Sequence, residues 1–177
     1  MAYEWKRRFL WALENKYYRD DEDPQKRKVL ILLNPFGGAG AARLNWALVE
    51  PMLEKAHIQY SLVETQHANH AYEIVNAELV PSQFDVIMTV SGDGLIHEVI
   101  NGLLNRKDWN TAVDVPELGQ VRFRDTVTLG VVPGGSGNGM IKSLLHRAGE
   151  EYGITEAAYR LIKGNSVDCD LTELVFE

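Results

Sequence analysis

Three short glycine-rich stretches hold the residue types most able to do chemistry: Asn34-Pro35-Phe36-Gly37-Gly38-Ala39-Gly40, Ser91-Gly92-Asp93-Gly94 and Pro133-Gly134-Gly135-Ser136-Gly137-Asn138-Gly139. Glycine permits close backbone approach and positive φ, so turns of this kind expose N–H groups that can cradle an anion. A helix that follows such a turn adds the positive end of its dipole. One glycine-rich turn alone is more often tight geometry than a binding site; three in corresponding places reverse that reading. The usual nucleotide fingerprints are missing. Residues 34–43 lack the Gly-Lys-Ser/Thr ending of a P-loop, and residues 34–40 do not spell G-x-G-x-x-G.

Asp93 stands between two glycines at the end of a predicted strand. A carboxylate there has two chemical uses: it accepts the proton of an attacking hydroxyl, or it helps hold the magnesium ion that screens phosphates. The structural alternative is an N-cap for the helix that begins near Gly94 or Leu95. Flanking glycines on both sides exceed what a cap needs, which favours the functional reading. His97 and Glu98 follow within one helical turn and point toward the same crevice in this reading, although His97 reads better as solvated surface.

The elements that must position these residues follow from hydrophobic patterning. Short β-branched and aliphatic runs predict strands at Val29–Leu33, Tyr60–Glu64, Asp85–Val90 and Val127–Val132. Helix-period segments fall between and after them at about 41–55, 69–79, 95–105, 138–149 and 155–163. In the third, Leu95, Ile96, Val99, Ile100, Leu103 and Leu104 form one buried face. The alternation predicts an α/β fold, an open parallel, doubly wound sheet with helices on both faces. The carboxyl ends of its strands share one edge, so the three turns converge on one crevice. Residues 106–125, with their charge, Pro116 and Gly119, read as a surface excursion. Residues 3–18 suggest an amphipathic helix that mixes Tyr3, Trp5, Phe9, Leu10, Leu13 and Tyr17 with basic residues, ended by the acidic run Asp20–Asp23 and Pro24. Packing on a neighbour is favoured over lying in a membrane interface.

Composition narrows the partners. A net charge of -7 argues against nucleic acid, whose backbone is bound by surplus Lys and Arg. The single cysteine, Cys169, cannot form an internal disulfide, and no signal-like start is apparent, so the expected location is cytoplasmic. No run approaches the roughly 20 apolar residues needed to span a bilayer. Any membrane contact is expected to be peripheral.

From about Lys28 to Cys169 the sequence resembles the catalytic domain shared by sphingosine, ceramide and diacylglycerol kinases, through LLNPFGGAG, TQHANHA, SGDGLIHEVINGL and PGGSGNG in that order. The Gly-Ser-Gly-Asn form at 135–138 is more similar to the sphingosine and ceramide kinase branch. The resemblance implies a nucleotide-binding domain like that of phosphofructokinase and NAD kinase, with ATP and Mg2+ as cofactors and a lipid as acceptor: a sphingoid base, with ceramide or diacylglycerol as alternatives. It implies Asp93 as general base and nucleotide contacts from Asn34, Pro35, Gly37, Gly38, Thr65, Gly92, Gly94, Glu98, Gly135, Ser136 and Gly137. Metal ligands are left unassigned, and a homodimer is one assembly it allows. In this family the segment after Thr65 is usually one residue shorter, and Gly139 stands where alanine or aspartate is common. The implied organisation is an N-terminal helix and acidic linker at 1–26, the nucleotide-binding domain at 27–168, and the start of a β-rich lipid-binding domain at 169–177. Two rivals remain: a kinase of a soluble acceptor, such as NAD kinase or phosphofructokinase, and a non-catalytic nucleotide-binding or scaffold domain.

Overall fold

β1 (Lys28–Leu33) is apolar at every position after its first because helices cover both of its faces. The structure, a computed structural model, describes residues 27–171 apart from 117, 136 and 165. The expected helix at 3–18 and Ser136 therefore lie outside the described residues, as does most of the segment 169–177; residues 169–171 carry no helix or strand.

α1 (Ala41–Lys55) leads to β2 (Gln59–Glu64), and α2 (His70–Glu73), prolonged by a π-helical turn at Ile74–Glu78, leads to β3 (Val86–Ser91). α3 (Asp93–Leu104) then precedes a short hairpin, β4 (Val113–Val115) and β5 (Gly119–Val121). β6 (Thr128–Pro133), α4 (Gly139–Arg147) and α5 (Ile154–Lys163) complete the order. The main sheet runs β2-β1-β3-β6, with all three pairings parallel. Alternate residues of β1 serve opposite layers. Val29, Ile31 and Leu33 pack with Trp46, Val49 and Leu53 of α1 and with Leu145 and Ile162 of α4 and α5. Leu30 and Leu32 pack with Ala71 and Val75 near α2 and with Leu95 and Val99 of α3. The sheet is thus doubly wound, as the alternation of strand and helix predicts.

Some details differ from the sequence reading. Within α3 the buried residues are Leu95, Ile96, Val99, Gly102 and Leu103, whereas Leu104 is 38% exposed. Gly102 is where α3 meets α2: a Cβ there would lie 2.8 Å from the carbonyl oxygen of Tyr72, a contact no side chain can relieve. The expected helix at 69–79 is α-helical only to Glu73. Its wider last turn presents the carbonyls of Val75 and Asn76 to the guanidinium of Arg106, and Leu79, the residue that follows, adds a third. Nor is segment 106–125 merely a surface excursion. Phe123 is buried beneath Arg106, whose guanidinium carbon lies 3.9 Å from the ring centroid, and Arg106 also pairs with Asp108.

Candidate functional site: three turns at one sheet edge

The strand order changes direction at β1, whose neighbours β2 and β3 are reached by helices on opposite faces. Open α/β sheets place their ligand crevice at such a point, outside the carboxyl ends of the strands. The first two glycine-rich turns leave β1 and β3 there, and the third leaves the adjacent β6.

The turns touch one another. The Gly134 N–H donates to the Ser91 carbonyl at 2.8 Å, and the Asn34 N–H to the Val90 carbonyl at 3.4 Å. A Cβ on Gly135 would come within 2.6 Å of Gly92 Cα, so only glycine lets the second and third turns approach this closely. The first turn meets the second where a Cβ on Gly37 would lie 3.2 Å from Ser91 Oγ. In the first turn Asn34 Oδ1 accepts the Phe36 N–H at 2.9 Å, an Asx turn, and Gly40 at φ 85° passes the chain into α1. The crevice is therefore one surface made of three turns.

Asp93 does not cap its own helix. Gly92 occupies the N-cap position of α3, and Asp93 is the first helical residue. Its Oδ2 instead accepts the Gly139 N–H at 2.9 Å, the amide that opens α4. The carboxylate thus bridges the second and third turns while remaining exposed at the crevice. Gly137 borders it, since a Cβ there would stand 3.0 Å from Oδ2.

The structure brings Asn34, Pro35, Gly37, Gly38, Gly92, Asp93, Gly94, Gly135 and Gly137 to this edge. Gly94 faces open space, with nothing within 4 Å of where its Cβ would be. Thr65 also lies at the edge, just after β2, but is buried with its hydroxyl 3.4 Å from the Leu33 carbonyl. Glu98 is half-buried and accepts the Ala71 N–H at 3.3 Å, tying α3 to the first turn of α2. Its neighbour His97 is exposed, as the sequence reading favours.

Several residues important to the shape of the edge have no catalytic look in the sequence. Asn138 is 1% exposed and takes the left-handed conformation (φ 57°, ψ 39°), which asparagine tolerates better than most residues. Its amide clasps the Gly135 peptide from both sides, Oδ1 accepting the N–H at 3.3 Å and Nδ2 donating to the carbonyl. Asn45 of α1 reaches across to donate to the Pro133 carbonyl at 2.9 Å. Asn138 could have been found from its place in the third motif; nothing local marks Asn45.

Besides the Asp93 carboxylate, the edge carries the Arg43–Glu64 ion pair. Arg43, in the first turn of α1, donates to both carboxylate oxygens of Glu64 at the end of β2, at 2.8 and 2.6 Å. These hydrogen bonds hold the Glu64 carboxyl below the usual carboxylate range and raise the Arg43 guanidinium. Residues 34–40, 91–94 and 133–139 contain no Lys or Arg, so the positive potential that these turns can offer is that of main-chain amides and of the N-termini of α3 and α4. Among the described residues no group of three His, Cys, Asp or Glu is placed to hold a metal, and no helix is long and apolar enough to cross a membrane.

Comparison with known proteins places this geometry. Residues 28–174 match the model of the diacylglycerol kinase catalytic domain. Sphingosine kinase 1 of Arabidopsis thaliana is 42% identical over 149 residues, 84% of this chain and 28% of that protein. Sphingosine kinase 1 of Mus musculus is 44% identical over 129 residues, 72% of this chain and 30% of that protein. The chain thus spans less than a third of these relatives. Among solved structures, a diacylglycerol kinase from Bacillus anthracis superposes with a TM-score of 0.59 at 26% identity, covering 81% of this chain and 44% of that one.

Proposed function

We propose that this chain, which belongs to the diacylglycerol kinase catalytic domain family, is the nucleotide-binding part of an ATP-dependent lipid kinase that phosphorylates the hydroxyl of a sphingoid base. The observation that carries the proposal is the single crevice made by three interlocked turns, with the Asp93 carboxylate fixed at its rim by the Gly139 N–H. The sphingoid acceptor is favoured because the similar proteins named above are sphingosine kinases; ceramide and diacylglycerol are the alternatives.

The crevice suits a polyphosphate, since its glycines admit close approach without side-chain bulk and the N-termini of α3 and α4 lie beside it. Magnesium would screen the phosphates. Of the three turns only the second offers a carboxylate, Asp93, so an ion there would take most of its ligands from phosphate and water, as magnesium commonly does. Asn34, Pro35, Gly37, Gly38, Gly92, Gly94 and the third turn at 135–137 line the phosphate path in this reading. Thr65 and Glu98 act by holding the neighbouring rim in place.

Asp93 accepts the proton of the lipid hydroxyl as its oxygen attacks the γ-phosphorus and the bond to the leaving ADP breaks. Positioning by the turns and charge stabilisation supply most of the acceleration. Residues 27–168 form the nucleotide-binding unit, and the lipid walls come from a domain that begins at 169–177. Contact with membranes is peripheral.

The test is transfer of radiolabelled γ-phosphate to sphingosine by the full-length protein. Asp93→Asn should abolish transfer and leave MgATP binding largely intact, because asparagine keeps an acceptor for the Gly139 N–H. Undiminished transfer by this variant would remove Asp93 as base. Transfer to NAD but not to lipid would replace the acceptor class, and no transfer to any acceptor would leave a binding or scaffold domain.

A further inference from the structure

Asn138 is satisfied by more than the third turn itself. Its Nδ2 also donates to the hydroxyl of Tyr152, at 2.9 Å. Tyr152 lies outside every glycine-rich stretch, in the loop between α4 and α5, and is 49% exposed. That loop is pinned. Arg160 of α5 pairs with Glu150 at 2.9 Å and donates to the Ala148 carbonyl at 2.6 Å, and the Glu150 N–H donates to the Leu145 carbonyl at 2.9 Å. Tyr152 is therefore presented by a fixed segment, with the ammonium of Lys142 5.2 Å from its ring centroid.

We infer that Tyr152 is a positioning residue for the phosphate-binding turn, its hydroxyl orienting the Asn138 amide that sets the Gly135 peptide; this rests on the nucleotide-binding reading above. The reasoning is geometric. Asn138 is fully buried, so its amide can adopt the orientation seen only if each polar atom finds a partner. The Gly135 peptide engages one donor and the acceptor of that amide, and Tyr152 engages the donating nitrogen from outside the turn. The Gly135 peptide in turn sits directly against Gly92, beside Asp93. A side chain outside all three turns thus sets the shape of the surface where the second and third turns meet.

The discriminating variant is Tyr152→Phe, which keeps the ring beneath Lys142 and removes only the hydroxyl. MgATP affinity of the chain, read by thermal-shift titration, should weaken about three- to tenfold, the range expected for loss of one hydrogen bond. The melting temperature without nucleotide should stay within about 3 °C of wild type. In an Asn138→Gly background, where glycine accepts the left-handed backbone, Tyr152→Phe should have no further effect on affinity. Amide exchange at 134–139 without nucleotide should be faster in Tyr152→Phe. Wild-type affinity together with unchanged exchange overturns the inference. So does a weakening fully accounted for by a large drop in melting temperature, because that marks a merely structural residue. If the wild-type chain binds no MgATP, the nucleotide-binding reading fails by itself, and exchange at 134–139 still decides whether Tyr152 orders the turn.

Discussion

Gly135 and Gly94 are both glycines at the crevice, yet the structure gives them different reasons to be glycine. A Cβ on Gly135 would press on the backbone of Gly92, whereas one on Gly94 would meet open space. Gly135→Ala is expected to destabilise the chain by about 1 to 3 kcal/mol, since no rotamer change can relieve a backbone contact, and to abolish the MgATP-dependent thermal shift. Gly94→Ala should leave the melting temperature near wild type. Thermal denaturation of the two variants side by side measures both, and equal melting temperatures would show that the second and third turns do not pack as described. The same scale explains Asp93. A sequence reading offers it either as an N-cap for its own helix or as a reactive carboxylate; the structure makes it a clasp to α4 that stays exposed at the rim.

Among the elements, α2 and α3 are joined by contacts that a hydrophobic pattern does not announce. Arg106 follows α3, its side chain is 6% exposed, and it binds both Asp108 oxygens and the carbonyls of Val75 and Leu79, where the helical segment ends. A cation at a helix C-terminus satisfies carbonyls that have no partner within the helix. Arg106→Ala removes one member of a partly buried pair and leaves Asp108 and those carbonyls behind, at an expected cost of about 1 to 3 kcal/mol. Urea denaturation reads this directly, and a loss below 1 kcal/mol would place the arginine in solvent instead. The hairpin of β4 and β5 belongs to this anchored region. Its three-residue strands carry too little alternation to be seen in the sequence and exist because they pair with each other.

At the scale of the molecule, the edge strand β2 is tied to its covering helix by a titrating contact. The Tyr60 hydroxyl of β2 donates to Glu50 of α1 at 2.8 Å, and its ring meets Trp46 edge-on with centroids 5.3 Å apart. Burial, followed by the hydrogen bond to Glu50, pushes the Tyr60 phenol up to about 12 from 10.0. The folded value lies above the unfolded one, so this contribution to stability is whole below pH 10 and is lost as pH rises through about 12. Tyr60→Phe should therefore lower stability at neutral pH yet lose less of it between pH 10 and 12 than wild type does; parallel wild-type and variant curves in denaturation across that window would contradict the assignment. The four main strands, the long helices and the three glycine-rich turns were all legible in the chain itself, and the predicted strands begin within one residue of those observed, because hydrophobic period and glycine punctuation are local properties. Of the residues that fix the crevice, Asn138 lies within the third motif and acts across 3 positions, whereas Asn45 and Tyr152, which act across 88 and 14, were not legible. Which amide meets which peptide depends on how strands and helices pack in three dimensions, and no periodicity of the chain encodes that.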